Sequence, residues 1–155
     1  MNAFIPRLLG VIAGIAVTLP TPTNASAPLE RYVVTASGTV DGTVYDTKTK
    51  LTWQQTVPST TYYWADARAY CAGVSVGGTA GWRLPTMKEL MTIVDFSRAT
   101  APLIDPIAFP GTPSGVYWSR SLWPGSSSLA WYVPFNSGYT ASADFFNKEY
   151  VRCVR

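Results

Sequence analysis

Pro85-Thr86-Met87-Lys88-Glu89-Leu90-Met91-Thr92-Ile93-Val94-Asp95 spells out a helix start in chemical terms. Thr86 and Glu89 stand three apart, a capping box in which threonine hydroxyl and glutamate carboxylate satisfy each other's backbone amides. Pro85 stands just before it. Met87, Leu90, Met91 and Val94 then recur at i, i+3, i+4 and i+7, one apolar face. Beyond Asp95 the chain changes character. Pro102, Pro106, Pro110 and Pro113 punctuate residues 97–115, which read as a long irregular loop region.

Upstream, Trp64, Ala67 and Cys71 at i, i+3 and i+7 predict a first helix. Thr60 or Thr61 is its expected cap, and Gly73, Gly77 and Gly78 its stop. Short β-type runs precede it: Tyr32-Val33-Val34, Thr43-Val44-Tyr45 and Leu51-Thr52-Trp53, the last two joined by the polar connection Asp46–Lys50. After the loop region come Val116-Tyr117-Trp118-Ser119, Ala130-Trp131-Tyr132-Val133 and Tyr150-Val151-Arg152-Cys153-Val154, with a turn at Asn136-Ser137-Gly138. Strands, two helices, a long loop and more strands predict an α+β domain with antiparallel pairing. Trp53, Trp64, Trp118 and Trp131 fall inside periodic elements and are expected in the core.

A chain of 155 residues has room for one ordinary domain, and 47% hydrophobic against 14% charged residues excludes a disordered tail. There is no His. That removes Ser-His-Asp and Cys-His nucleophile systems and imidazole metal ligands together. The 12 basic residues are scattered along the chain against 9 acidic ones, without the basic stripe of a nucleic-acid binder. Asp41, Asp46, Asp95, Asp105 and Asp144 suit caps and turns. No EF-hand loop occurs among them. No metal and no cofactor is expected.

Residues 1–27 divide like a secretory signal: Arg7 near the start, the apolar run Leu8–Leu19, then Pro20, Pro22 and the small residues Ala25-Ser26-Ala27. Cleavage after Ala25 or after Ala27 fits, and the run falls short of the roughly 20 residues a spanning helix needs. Residues 28–39 read as a leader and 40–155 as the domain. The expected protein is exported, periplasmic or extracellular, with no membrane span once the signal is removed. In that compartment two cysteines, Cys71 and Cys153, suggest one disulfide. It would close a loop of roughly 80 residues, which the chain-entropy model values at about 4.5 kcal/mol. The spacing lacks the CxxC of redox pairs.

Several strings coincide in order: Leu51-Thr52-Trp53-Gln54, Tyr63-Trp64-Ala65-Asp66-Ala67 with Tyr70-Cys71, Gly81-Trp82-Arg83-Leu84-Pro85-Thr86, and Lys88-Glu89-Leu90. Tyr117-Trp118-Ser119, Ala130-Trp131-Tyr132-Val133-Pro134-Phe135 and the ending Tyr150-Val151-Arg152-Cys153-Val154-Arg155 complete the set. Over residues 40–155 the chain resembles the carboxyl-terminal domain of the Legionella collagen-like adhesin and its bacterial relatives. That family resembles C-type-lectin-like domains and, more distantly, formylglycine-generating enzymes. The resemblance implies pairing of Cys71 with Cys153, chain ends meeting in one sheet, and long loops gathered on one side. The calcium and sugar triplets of true C-type lectins are absent, and no spare cysteine pair matches the formylglycine enzymes.

These features lead to an expectation of a non-enzymatic recognition or adhesion domain for a glycan or polyanionic extracellular polymer. An enzyme related to the formylglycine generators and a purely structural envelope protein are the alternatives. For the ligand, Trp123 stands out among Pro, Gly and Ser residues as a stacking surface, with Arg98 and Arg120 flanking the loop region as anion donors. Trp82 and Arg83 read as structural, Trp82 in the core and Arg83 tying a loop to a carboxylate or carbonyls through its planar fork.

Overall fold

The computed structural model describes residues 30–35 and 42–155. The signal-like segment 1–27 and Asp41 lie outside the described residues. Two three-stranded antiparallel sheets and two helices make up the α+β fold. Sheet one is β1 (Tyr32–Thr35), β2 (Thr43–Asp46) and β3 (Thr52–Gln54), in that order. β1 lies within the segment 28–39 and pairs along its whole length with β2. The β2–β3 connection closes as Asp46 N donates to Leu51 O at 2.8 Å and Lys50 N to Asp46 O at 2.8 Å. Lys50 takes the left-handed conformation, φ 62°, at the end of that turn.

Helix α1 (Trp64–Gly73) buries Trp64, Ala67 and Cys71, the predicted stripe. Its N-cap is Tyr63, with no side-chain cap, so neither Thr60 nor Thr61 caps it. An alternative anchor holds the first turn: Trp64 N donates to Phe145 O, and the Trp64 ring stacks on Phe145 at 4.3 Å. Helix α2 (Met87–Thr92) has the full capping box. It stops sooner than the apolar stripe suggested, because Ile93 leaves helical geometry at φ −101°, ψ 2°. Residues 97–115 form no helix or strand.

The second sheet runs β4 (Val116–Leu122), β5 (Leu129–Pro134), β6 (Ala141–Asp144). Its two faces serve two cores. Neighbouring residues Tyr117 and Trp118 show the period of two: Tyr117 joins Leu90, Ile93, Phe109 and Val133, whereas Trp118 joins Trp64, Cys71, Trp82 and Ala130. Trp131 departs from expectation. It is half-buried and belongs to neither cluster.

The carboxyl-terminal segment links both halves. Tyr150 bridges Tyr117 in parallel, and Val154 bridges both Trp53 and Arg83 in antiparallel fashion. Cys153 is bonded to Cys71 on α1. The carboxylates serve turns: Asp105 accepts from the amides of Ile107 and Ala108, Asp144 from Phe146, and Asp95 from Ser97.

Candidate functional site

An open cleft of about 420 Å³ lies where α1, the segment before α2, and β4 converge. Helix α1 lines it with Trp64, Arg68 and Ala72, four residues apart and therefore on one face. Strand β4 contributes Arg120 and Leu122. Arg83 and Leu84 close the third side. Trp64 and Leu84 are buried and form an apolar floor; Arg68 and Arg120 are exposed at the rim.

The three guanidiniums are held differently. Arg83 makes the planar fork expected of it, Nη1 to Glu89 Oε2 at 2.8 Å and Nη2 to Glu89 Oε1 at 2.6 Å. Glu89 is the capping-box residue, so the helix start fixes this arginine. The Arg83 bond, with the Thr86 amide and hydroxyl, draws the Glu89 carboxyl down to about 2, against the opposing effect of burial. Arg68 lies with Cζ 4.8 Å from the Trp64 ring centroid, a cation–π contact. Arg120 is placed by its backbone, which donates to Pro85 O at 2.7 Å. Among the described residues neither Arg68 nor Arg120 has a carboxylate partner, and no Asp or Glu lines the cleft.

Of the candidates, Arg120 alone lines this cleft. Arg98 sits on the loop after α2, half-buried, its Nε donating to Pro102 O at 2.9 Å. Trp123 follows Leu122 but packs on Trp131, ring centroids 4.4 Å apart. The three do not converge on one site. Arg68 was missed, although its i+4 spacing from Trp64 was a readable sign that both line one helix face.

Among the described residues no group of three or more His, Cys, Asp or Glu stands close enough to hold a metal ion, and no helix is long and apolar enough to cross a membrane. The family model described as the Lcl C-terminal domain matches residues 42–155. No curated protein matches the chain.

Proposed function

The chain belongs to the Lcl C-terminal domain family, and from that premise we propose that it is an exported, non-enzymatic recognition domain whose arginine cleft binds an acidic extracellular glycan or polymer. One observation carries the reading: Arg68 and Arg120 flank an apolar floor, and among the described residues no carboxylate neutralises them. Guanidiniums placed this way meet sulfate or carboxylate groups bidentately, while the exposed Leu122 side chain offers apolar surface to the sugar. Arg83, already paired with Glu89, buttresses the wall rather than supplying free charge.

The C-type-lectin-like form of the fold is part of the proposal. It is supported by the carboxyl-terminal segment pairing with β3 and by the bond joining α1 to that segment. Both cysteines are committed to that bond, which favours binding over thiol chemistry. Export is part of the proposal, supported by the signal-like residues 1–27, cut after Ala25 or Ala27, and compatible with the disulfide.

Purified mature protein should bind dextran sulfate or polygalacturonate at low salt. The Arg68→Ala/Arg120→Ala double variant should lose at least tenfold in affinity and about one to two in salt slope. Its melting temperature should fall by only a few degrees, because both side chains are exposed and among the described residues lack ion pairs, leaving the Arg68 contact with the Trp64 ring, about 0.5–1 kcal/mol, as the structural loss. Absence of binding by the wild type to both polymers, or undiminished binding by the double variant, overturns the reading.

A further inference from the structure

The chain has six indoles, and their ring N–H groups sort them. Trp64 donates to Ser119 O at 2.8 Å, Trp82 to Thr79 O at 2.6 Å, and Trp118 to Tyr62 O at 2.9 Å. Trp53 also lacks an acceptor for its ring N–H among the described residues, but it is fully buried and out of a ligand's reach. Trp123 and Trp131 are of another kind. Both are half-buried, and among the described residues neither ring N–H meets an acceptor.

These two also stand together, centroids 4.4 Å apart and planes inclined at 55°. Their backbone is fixed on both sides. Trp123 N donates to Leu129 O at 2.9 Å, and Ser126 N to Trp123 O at 3.3 Å. The Trp123 ring folds over its own turn, so that a β-carbon on Gly125 would come within 2.6 Å of its Nε1. Beside it the hydroxyls of Ser126 and Ser128 lie 3.1 Å apart in an exposed part of the turn. Residues 122–131, Leu-Trp-Pro-Gly-Ser-Ser-Ser-Leu-Ala-Trp, carry no charge.

We infer that Trp123 and Trp131 form a stacking platform for the apolar face of a neutral pyranose, a binding site separate from the arginine cleft. A pyranose offers a patch of C–H groups ringed by hydroxyls. The paired indoles supply matching apolar area, and their open N–H groups and the turn serines supply hydrogen-bonding partners at its edge. The uncharged turn gives an anionic group nothing to bind. A folded protein partner calls for a larger apolar patch, several hundred Å², than two half-buried rings present. Preorganisation by the β4–β5 connection limits the entropy lost on binding.

The test uses nitrogen-15-labelled mature protein titrated with cellohexaose, chitohexaose and mannohexaose. At least one should shift the Trp123 and Trp131 indole cross-peaks saturably while the other four indoles stay in place. Trp131→Ala should weaken that binding at least tenfold. Gly125→Ala keeps both rings but displaces Trp123, and should weaken it as well, which covers the case in which the Trp131 variant fails to fold. The Arg68→Ala/Arg120→Ala protein should bind the neutral sugar as wild type does, so that this site and the cleft succeed or fail separately. No saturable shift with any of the three sugars, a uniform shift of all six indoles, or loss of neutral-sugar binding in the arginine double variant overturns the inference.

Discussion

Arg152 shows most sharply how one residue organises this domain. Its side chain is fully buried, and among the described residues no carboxylate neutralises it. Two carbonyls and a hydroxyl take that role: Nη1 donates to Gln54 O at 2.6 Å and to Gln55 O at 2.7 Å, while Nη2 donates to Thr112 Oγ1 at 2.7 Å. Phe109 lies beneath, 4.7 Å from Cζ to ring centroid. The guanidinium thus joins the end of β3 to the irregular loop. Burial pulls its pKa down to about 10, which leaves it charged at neutral pH. Arg152→Met keeps much of the volume but strands three acceptors, and at roughly 1 kcal/mol each it should lower stability by about 3 kcal/mol in urea unfolding. Arg152→Lys should recover only part, since an ammonium lacks the fork. A loss under about 0.5 kcal/mol for the Met variant would show that the buried fork is not a structural tie. The sequence displayed Arg152 only as part of a terminal string. Nothing local distinguishes a buried arginine from a surface one, because the acceptors come from residues 40 to 98 positions away.

Elements whose signals are local were legible; those templated by distant neighbours were not. The start of α2 was read from Thr86 and Glu89 alone, because a capping box closes within four residues. The cap of α1 was misjudged since Phe145, from another part of the chain, holds its first turn. Strand β6 went unseen. Ala-Ser-Ala-Asp has no β-branched or aromatic residue, and its pairing with β5 makes it a strand. Trp131 looked like core because alternation within β5 cannot say which face a core covers; Ala130 and Val133 lie in different clusters. The α2 start also sets an acid response. The Glu89 carboxyl sits near 2 in the fold against an ordinary 4.5, chiefly through Arg83. A depressed carboxyl contributes stability above its unfolded value and loses it as pH falls, so this contribution should fade between pH 4.5 and about 2. Asp46 moves the same way: burial, the largest single influence, pushes it up, but the Arg31 bond, the Lys48 amide, Thr49 and the Arg31 charge together outweigh that and leave it lowered. Since Arg83 is 35% and Glu89 22% exposed, screening keeps the Glu89 share to about 1 kcal/mol or less. Glu89→Gln should therefore flatten part of the stability-against-pH curve in that window and leave Asp46's part. An unchanged acid limb would mean the ion pair adds nothing to stability.

At the scale of the whole molecule, stability converges on the last seven residues. Glu149 pairs with Tyr62 ahead of α1, Tyr150 with β4, Cys153 with β3 through its carbonyl, and Val154 with Arg83 ahead of α2. Both cores contain residues from this segment, Val154 in one and Val151 and Cys153 in the other. The Cys71–Cys153 bond fastens that segment to α1 across a separation of 82 residues. A cross-link over so long a loop removes much of the freedom of the unfolded chain, and loss of such native bonds typically lowers stability by about 2–5 kcal/mol. Because the segment feeds both cores, the Cys71→Ser/Cys153→Ser protein should lose that amount from the two together. Thermal unfolding followed by tryptophan fluorescence and by far-ultraviolet circular dichroism should shift to lower temperature as one coincident transition. Separate transitions for the two probes would mean that the cores unfold independently and that the terminal segment does not couple them. An unshifted midpoint would mean that pairing along the segment holds the fold without the bond.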